Sequence, residues 1–422
     1  MTVRILTGHV LDRLAELPDE SVHCVVTSPP YWGLRDYGTP PQIWGGRADC
    51  RHRWGNEAGR LRSHPQQSRN GQKGVVGPRD LHPSAARTSI DASQGAFCQR
   101  CGAWRGSLGL EPAYQLYVEH LVAVLREVRR VLRGDGTLWL NLGDCYATGA
   151  GKAGLKPKDL VGIPWRVAFA LQDDGWWLRR DNVWAKPNGM PESVRDRCTT
   201  AHEYLFHFSK SARYFYDSEA TKEPAANTGG GTRAAPDKAA RAGIVMNKGL
   251  ATNGTGATTL RAKGAATRYK RSVWAVASAP YAGAHFATFP PALIEPCILA
   301  GTSAKGVCPK CGAPWVRVVD RASRDDCRYT DTGFPGEGKD RGRRIASGGV
   351  GIGASAQTIG WRAACSCDAG AVPAVVLDPF LGAGTTARVA DRFARDCIGI
   401  ELLPKYAAMA DRRTREPGLA LA

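Results

Sequence analysis

Ser28, Pro29, Pro30 and Tyr31 directly follow the apolar run at residues 22–26. A short polar loop with two rigid prolines therefore leaves the end of a buried strand, which is where an open α/β sheet places its chemistry. Consecutive prolines fix φ and carry no N–H, leaving their carbonyls to accept a hydrogen bond from a ligand. Tyr31 supplies a flat face beside them. An amino group held against such carbonyls, with its ring stacked on an aromatic, describes the reactive edge of an unpaired cytosine or adenine. The plainer alternative is a strand end closed by a Pro-Pro turn. Near the C-terminus, residues 374–377 read as a second buried strand. It runs into Asp378-Pro379-Phe380-Leu381-Gly382-Ala383-Gly384-Thr385-Thr386 and then into a helical pattern at 387–392. Gly382 and Gly384 let a ligand approach backbone that a side chain would block, and the helix start offers free N–H groups. A further strand at 397–400 delivers Glu401 at its carboxyl end, placed to hold ribose hydroxyls. The turn lacks the full G-x-G-x-x-G spacing of a dinucleotide site, so adenosine without a pyrophosphate is the better fit.

Seven of the 13 cysteines, with one histidine, form two further groups. Cys98-Gln99-Arg100-Cys101-Gly102 is a C-x-x-C-G knuckle with Cys50-Arg51-His52 upstream; Cys308-Pro309-Lys310-Cys311-Gly312 repeats it, paired with Cys365-Ser366-Cys367. Each group supplies four soft ligands, as a closed structural zinc site would. Glycine after the second cysteine frees backbone N–H groups to face the thiolates. A bound metal would contribute on the order of 10 kcal/mol or more to closing two otherwise loose loops. A redox dithiol, or thiols without a ligand, are the alternatives.

Together, Ser28-Pro29-Pro30-Tyr31 and Asp378-Pro379-Phe380-Leu381-Gly382-Ala383-Gly384-Thr385-Thr386 resemble the amino-methylating DNA methyltransferases. These S-adenosylmethionine enzymes carry [D/N/S]-P-P-[Y/F/W] and D-P-F-x-G-x-G-T-T. The catalytic motif comes first here, which is similar to the β-type circular permutation, and the serine before Pro-Pro-Tyr is similar to the N4-cytosine branch. The resemblance implies an α/β fold: a doubly wound, mostly parallel, Rossmann-like sheet, circularly permuted, to which the two cysteine groups add small zinc-binding insertions. It implies Ser28, Pro29, Pro30 and Tyr31 as catalytic residues. For S-adenosylmethionine it implies Asp378, Phe380, Gly382, Gly384, Thr385, Thr386 and Glu401, with Phe289 closing over the methionine end. The Ser28 hydroxyl and the Pro29 carbonyl would accept the two N–H bonds of a flipped-out base amine and turn its lone pair to the methyl sulfonium, with Tyr31 stacking on the ring. Double-stranded DNA is the implied substrate, in a cytoplasmic enzyme encoded by a prokaryote or phage, with a cognate restriction endonuclease as a possible partner. The alternatives are N6-adenine transfer by the same logic and a zinc-dependent DNA-binding protein that has lost catalysis. Transfer to RNA or to a protein glutamine fits less well, because those relatives carry N-P-P-Y after the cofactor motif. One departure is Thr7-Gly8-His9, which stands where relatives usually have Gly-Asp; His9 reads as a strand-end histidine.

These residues must be positioned by a core that the inserts interrupt. Residues 1–44 give strand, helix, strand and the catalytic loop; 45–108 form the first zinc-knuckle insertion. The core resumes over 109–220, where Tyr114, Tyr117, Val118, Leu121, Val124, Leu125, Val128 and Leu132 recur at helical spacing. Gly134-Asp135-Gly136 then reads as a turn into a strand at 137–142, which Asn141 and Asp144 end near the active edge as pocket or turn residues. A helix-and-strand unit follows at 163–184, closed by Lys186-Pro187-Asn188, and then a strand at 204–208. Residues 221–271 hold ten Lys or Arg against two acidic residues and few large apolar groups, the place of the family's target-recognition region or of a solvated basic linker. A cofactor-closing segment at 272–304, the second zinc insertion at 305–370 and the cofactor-binding part at 371–422 complete the chain. A net charge of +18 over 422 residues points to a polyanionic partner. No apolar run is long enough to cross a bilayer and the start reads as a strand, so a reducing cytoplasm is expected, where cysteines serve as ligands or core.

Overall fold

The continuous apolar runs become inner strands of one eight-stranded sheet, in a computed structural model that describes residues 1–55, 96–147, 154–224, 267–279, 288–320 and 357–415. The first elements in chain order are β1 (Val3–Thr7), α1 (Val10–Ala15), β2 (Val22–Thr27), β3 (Gln42–Trp44), β4 (Ala96–Phe97) and β5 (Trp104–Gly106). Then come α2 (Tyr114–Val131), β6 (Leu132–Leu142), α3 (Ile163–Asp173), β7 (Trp177–Ala185), β8 (His202–Ser209), β9 (Glu223–Pro224), β10 (Thr267–Arg268) and β11 (Val273–Ala275). The last are α4 (Pro291–Gly301), β12 (Trp315–Asp320), β13 (Gln357–Ala363), β14 (Val375–Asp378), α5 (Thr385–Arg392), β15 (Asp396–Glu401) and α6 (Pro404–Arg415).

The strand order is β1-β15-β14-β2-β6-β8-β7-β11. From β1 to β6 every neighbour is parallel; β8 is antiparallel to both β6 and β7, and β11 pairs parallel with β7. Along β2 the side chains serve two cores. Val25 packs with Leu14, Leu121 and Val167 on the face covered by α1, α2 and α3, whereas Cys24 and Val26 pack with Ile294, Val389 and Ala410 beneath α4, α5 and α6. A sheet clad on both faces explains why its strands read as unbroken apolar runs, and this is the doubly wound, mostly parallel fold expected. The repeat on α2 fulfils its packing role: Leu121, Val124, Leu125 and Val128 are fully buried, each contributing about 1.5–3 kcal/mol relative to exposure.

One expectation changes. Residues 134–136 do not turn the chain; they lie within β6, whose register against β2 shifts between Val22 and Cys24. A side chain at Gly136 would stand 2.5 Å from Leu132 Cδ1 and 3.0 Å from the His23 carbonyl, so glycine lets the strand bulge against β2 and continue. The three-stranded sheet β3-β5-β4 also takes up Gln42–Trp44 from the segment assigned to the core. Its Trp44 and Trp104 rings stack on His120, whose Nδ1 lies 3.0 Å from the buried Glu111 carboxylate.

The chain divides into two units, the larger comprising Met1–Ala220, Arg271–Val316 and Ala363–Ala422. The smaller comprises Thr221–Lys270 and Arg317–Arg362; within it β9 pairs antiparallel with β10, and Arg268 Nε donates to Glu223 Oε1 at 2.9 Å. Among the described residues no helix is long and apolar enough to cross a membrane.

Candidate active site

The two motifs, some 350 positions apart in sequence, meet because β14 and β2 are hydrogen-bonded neighbours, with Val376 opposite Cys24 and Leu377 opposite Val25. From β14 the chain proceeds to β15, and from β2 it proceeds to β6 on the other side. That divergence is a topological switch point, where a crevice opens beyond the carboxyl ends of the strands. Thr27 Oγ1 donates to Asp378 Oδ1 at 2.7 Å across the pair, tying the start of one loop to the start of the other.

The Asp378 loop is held mostly by its own residues. Asp378 is buried, with Oδ1 accepting from Thr27 and from the Phe380 N–H (3.0 Å) and Oδ2 accepting from Thr386 Oγ1 (2.7 Å). Burial outweighs these donors and pushes its carboxyl up to about 6. Thr385 Oγ1 accepts from Arg413 at 3.0 Å. Gly384 has φ +80°, and a Cβ there would stand 2.8 Å from Ala410 Cβ, so this glycine serves the packing of α5 on α6. Asp378, Gly384, Thr385 and Thr386, grouped by sequence with the cofactor contacts, thus hold the shape of the turn. Phe380, Gly382 and Glu401 are only partly buried. Glu401 Oε2 accepts the Gly382 N–H and Oε1 the Leu403 N–H, both at 2.9 Å, and burial raises its carboxyl. Those bonds fix the carboxylate beside the glycine turn. Phe289, two residues before α4, is half-buried against the core beneath α4, α5 and α6.

In the Ser28 loop, Pro29 is buried while Ser28, Pro30 and Tyr31 are partly exposed. The two proline carbonyls are not equivalent. Pro30 O accepts from Tyr117 Oη at 2.8 Å, whereas among the described residues no hydrogen bond engages Pro29 O. Tyr31 Oη accepts from Ser28 Oγ (3.2 Å) and lies 2.9 Å from both Asn141 Oδ1 and Glu203 Oε2. Asn141 Nδ2 donates to Glu203 Oε2 (3.2 Å) and to Tyr204 O (3.0 Å), and Lys186 Nζ pairs with Glu203 Oε1. Burial, then the Glu203 charge, hold the Tyr31 hydroxyl well above the usual phenol range, so it stays a neutral donor. Gly143 gives the ring room, because a Cβ there would stand 2.6 Å from Tyr31 Cε2.

Glu203 was missed by sequence reasoning, and Lys186 was seen only as the end of a unit. Asn141 is buried and bonded to Tyr31, Glu203 and Tyr204, whereas Asp144 accepts the Gly162 and Ile163 N–H groups at 3.0 Å and so fixes the start of α3. His9 precedes α1 and packs edge-on to Trp44 at 4.7 Å, with burial lowering its pKa, as a structural strand-end histidine should.

The cysteine groups assemble in space. Cys50, His52, Cys98 and Cys101 bring their ligand atoms within 4.8 Å of one another, as do Cys308, Cys311, Cys365 and Cys367. In the first, Cys50 Sγ lies 4.0 Å from Cys98 Sγ and Cys101 Sγ 3.5 Å from His52 Nδ1. Tetrahedral zinc at ordinary bond lengths needs ligand separations of about 3.5–3.8 Å, so the donor sets fit the ion. Gly102 and Gly312, each after the second knuckle cysteine, have φ of +75° and +70°. The Arg100 N–H reaches Cys98 Sγ at 3.4 Å.

Comparison with known proteins adds sequence kinship to this geometry. A family model described as DNA methylase, N6_N4_Mtase, matches residues 22–308 and 372–412. The type II methyltransferase M.XycI of Xanthomonas campestris pv. cyanopsidis is 33% identical over 97% of this chain and 86% of its own length. The type II methyltransferase M.SmaI of Serratia marcescens is 31% identical over 97% of this chain and 90% of its own. Among solved structures, the PvuII DNA methyltransferase (cytosine-N4-specific) aligns with a TM-score of 0.49 and 15% identity, covering 100% of this chain and 89% of that one.

Proposed function

The chain belongs to the N6/N4 DNA methylase family, and on that premise we propose that this DNA methyltransferase acts on N4 of a cytosine turned out of duplex DNA. Its methyl donor is S-adenosylmethionine. The observation that carries the reading is the meeting of the Ser28 and Asp378 loops on adjacent strands at the switch point. Phe380, Gly382 and Glu401 line the donor side of that crevice, with Phe289 toward the methionine end. Ser28 Oγ and Pro29 O take the two N–H bonds of the base amine, and Tyr31 offers its ring face. Holding the nitrogen in line with the methyl and away from water accounts for most of the rate gain. Asp378, Gly384, Thr385 and Thr386 keep the donor loop in shape.

Serine ahead of Pro-Pro-Tyr favours cytosine over adenine. Incubation with labelled methyl donor and unmethylated genomic DNA, followed by nucleoside analysis, is expected to yield N4-methylcytosine. Ser28→Ala with Tyr31→Ala, or Gly382→Trp, should abolish the signal. N6-methyladenine in the digest would transfer the assignment to adenine, and donor binding without transfer to any DNA would favour a binding protein that has lost catalysis.

Two structural zinc ions, one in each Cys-rich cluster, complete the proposed chemistry. The basic stretch at 221–271 is the proposed target-recognition region; its residues 225–266 lie outside those described. The relatives are named type II methyltransferases, so a companion endonuclease reading the same site is the partner this function implies.

A further inference from the structure

We propose that Glu203 sets the polarity of the Ser28 hydroxyl and receives the proton that the base amine loses on methylation, acting through Tyr31. The idea rests on the function proposed above and assigns a role to a residue outside both motifs. Three groups form a line: Ser28 Oγ to Tyr31 Oη at 3.2 Å, and Tyr31 Oη to Glu203 Oε2 at 2.9 Å. The direction of this line is fixed by what its far end can do. An ionised carboxylate only accepts. Asn141 Oδ1, the other oxygen within reach of Tyr31, also only accepts, since the Asn141 amide protons go to Glu203 and Tyr204 O. Tyr31 therefore donates inward whichever oxygen it takes, and its own oxygen is left to accept from Ser28. Ser28 has one proton and spends it on Tyr31. What the hydroxyl presents to the crevice is then lone pairs alone.

Two consequences follow for the reaction. A hydroxyl that can only accept selects a donor, so an exocyclic amine is held and the O4 carbonyl of thymine is refused. The second concerns the proton balance. As the N–CH3 bond forms, the CH3–S bond breaks and its electron pair stays on sulfur, leaving the amine nitrogen cationic with one proton too many. That proton passes to Ser28 Oγ while the Ser28 proton moves to Tyr31 Oη and the Tyr31 proton to Glu203 Oε2. The products are the neutral methylamine, the thioether and a neutral Glu203 carboxyl. Serine and tyrosine end with the protons they began with. Lys186 on Oε1 and Asn141 on Oε2 hold the carboxylate in place between turnovers. Its side chain is 17% exposed, enough to return the proton to water. Glu203 touches neither substrate in this scheme and is a positioning and proton-accepting residue acting through Tyr31.

The test is single-turnover methyl transfer to a duplex carrying a site mapped with the wild-type enzyme, alongside separate measurements of S-adenosylmethionine and duplex affinity. Glu203→Gln is expected to slow transfer by about 10²–10³-fold while both affinities stay within about twofold. Glu203→Asp should recover at least tenfold of that loss. Tyr31→Phe keeps the ring but breaks the line, and should fall as far as Glu203→Gln; the double variant should be no slower than the slower single one, because the two residues act as one unit. Transfer by Tyr31→Phe or by Glu203→Gln within about threefold of wild type would overturn the proposal. If Glu203→Gln does not fold, the Tyr31→Phe result decides. Wild-type protein that methylates no DNA would overturn the underlying function, a different outcome from wild-type transfer that the variants leave intact.

Discussion

At the scale of single residues, Asp378 shows how a motif position holds its own loop. Its carboxyl is fully buried and pushed up to about 6 from an ordinary 3.8, and three donors from Thr27, Phe380 and Thr386 offset only part of the burial. Between those values the folded protein holds a proton that the unfolded chain has already released. Stability therefore falls as pH rises through this window and levels off above about 6, by an amount on the order of 3 kcal/mol. Asp378→Asn keeps an oxygen for Thr27 and the Phe380 N–H, and Thr386 can turn its proton to Val26 O at 3.4 Å. The variant is expected to lose this part of the pH dependence: urea unfolding at pH 4 and at pH 7 should show its stability gaining on wild type at the higher pH. Equal pH slopes in the two proteins would contradict the assignment. Sequence alone marked Asp378 as important, but only its burial separates a loop-holding carboxylate from a ligand-holding one.

At the scale of elements, the glycine turn is constrained by its packing against α6. Gly384 has φ +80°, and a Cβ there would stand 2.9 Å from Ala410 Cα, so Gly384→Ala meets a left-handed backbone and a packed neighbour together. A loss of about 2–4 kcal/mol is expected, visible as a lowered Tm and weaker donor binding; an unchanged Tm would show that α6 yields freely. The second cysteine knuckle is likewise attached to the central strands β2, β14 and β6. His23 on β2 contacts Gly312 O at 3.2 Å and accepts the Val375 N–H at 3.1 Å, and Arg133 donates to Cys311 O at 2.7 Å. Metal analysis of protein purified without added zinc should find about two equivalents, and Cys308→Ser or Cys98→Ser should each remove about one and lower the Tm. Full activity without metal would end the zinc assignment. These elements were legible in sequence because buried strands read as apolar runs and knuckles have fixed spacing. Glu203 was not, because β8 runs against its neighbours: its amino end, not its carboxyl end, reaches the active edge. A search confined to the residues that follow strands passes over it.

At the scale of the whole molecule, the joining of the Ser28 and Asp378 loops was legible only through the resemblance, since no local pattern states that the fourteenth strand lies beside the second. Charge is the other property at this scale. The chain carries +18, and residues 221–271 hold ten basic side chains against two acidic ones. A basic segment that neutralises phosphates releases counterions, and log K then falls with log salt by about 0.9 for each phosphate neutralised. A basic segment that is merely solvated contributes nothing to that slope. Replacing residues 225–266 with a short Gly-Ser linker separates the two roles. If this stretch reads DNA, duplex affinity should fall and the salt slope should flatten by about 0.9 for every phosphate the shortened chain no longer neutralises. S-adenosylmethionine affinity should stay unchanged, because the residues proposed to hold the donor are Phe289, Phe380, Gly382 and Glu401, outside the replaced stretch. An unchanged duplex affinity and slope would place recognition elsewhere in the chain and leave the stretch as a linker.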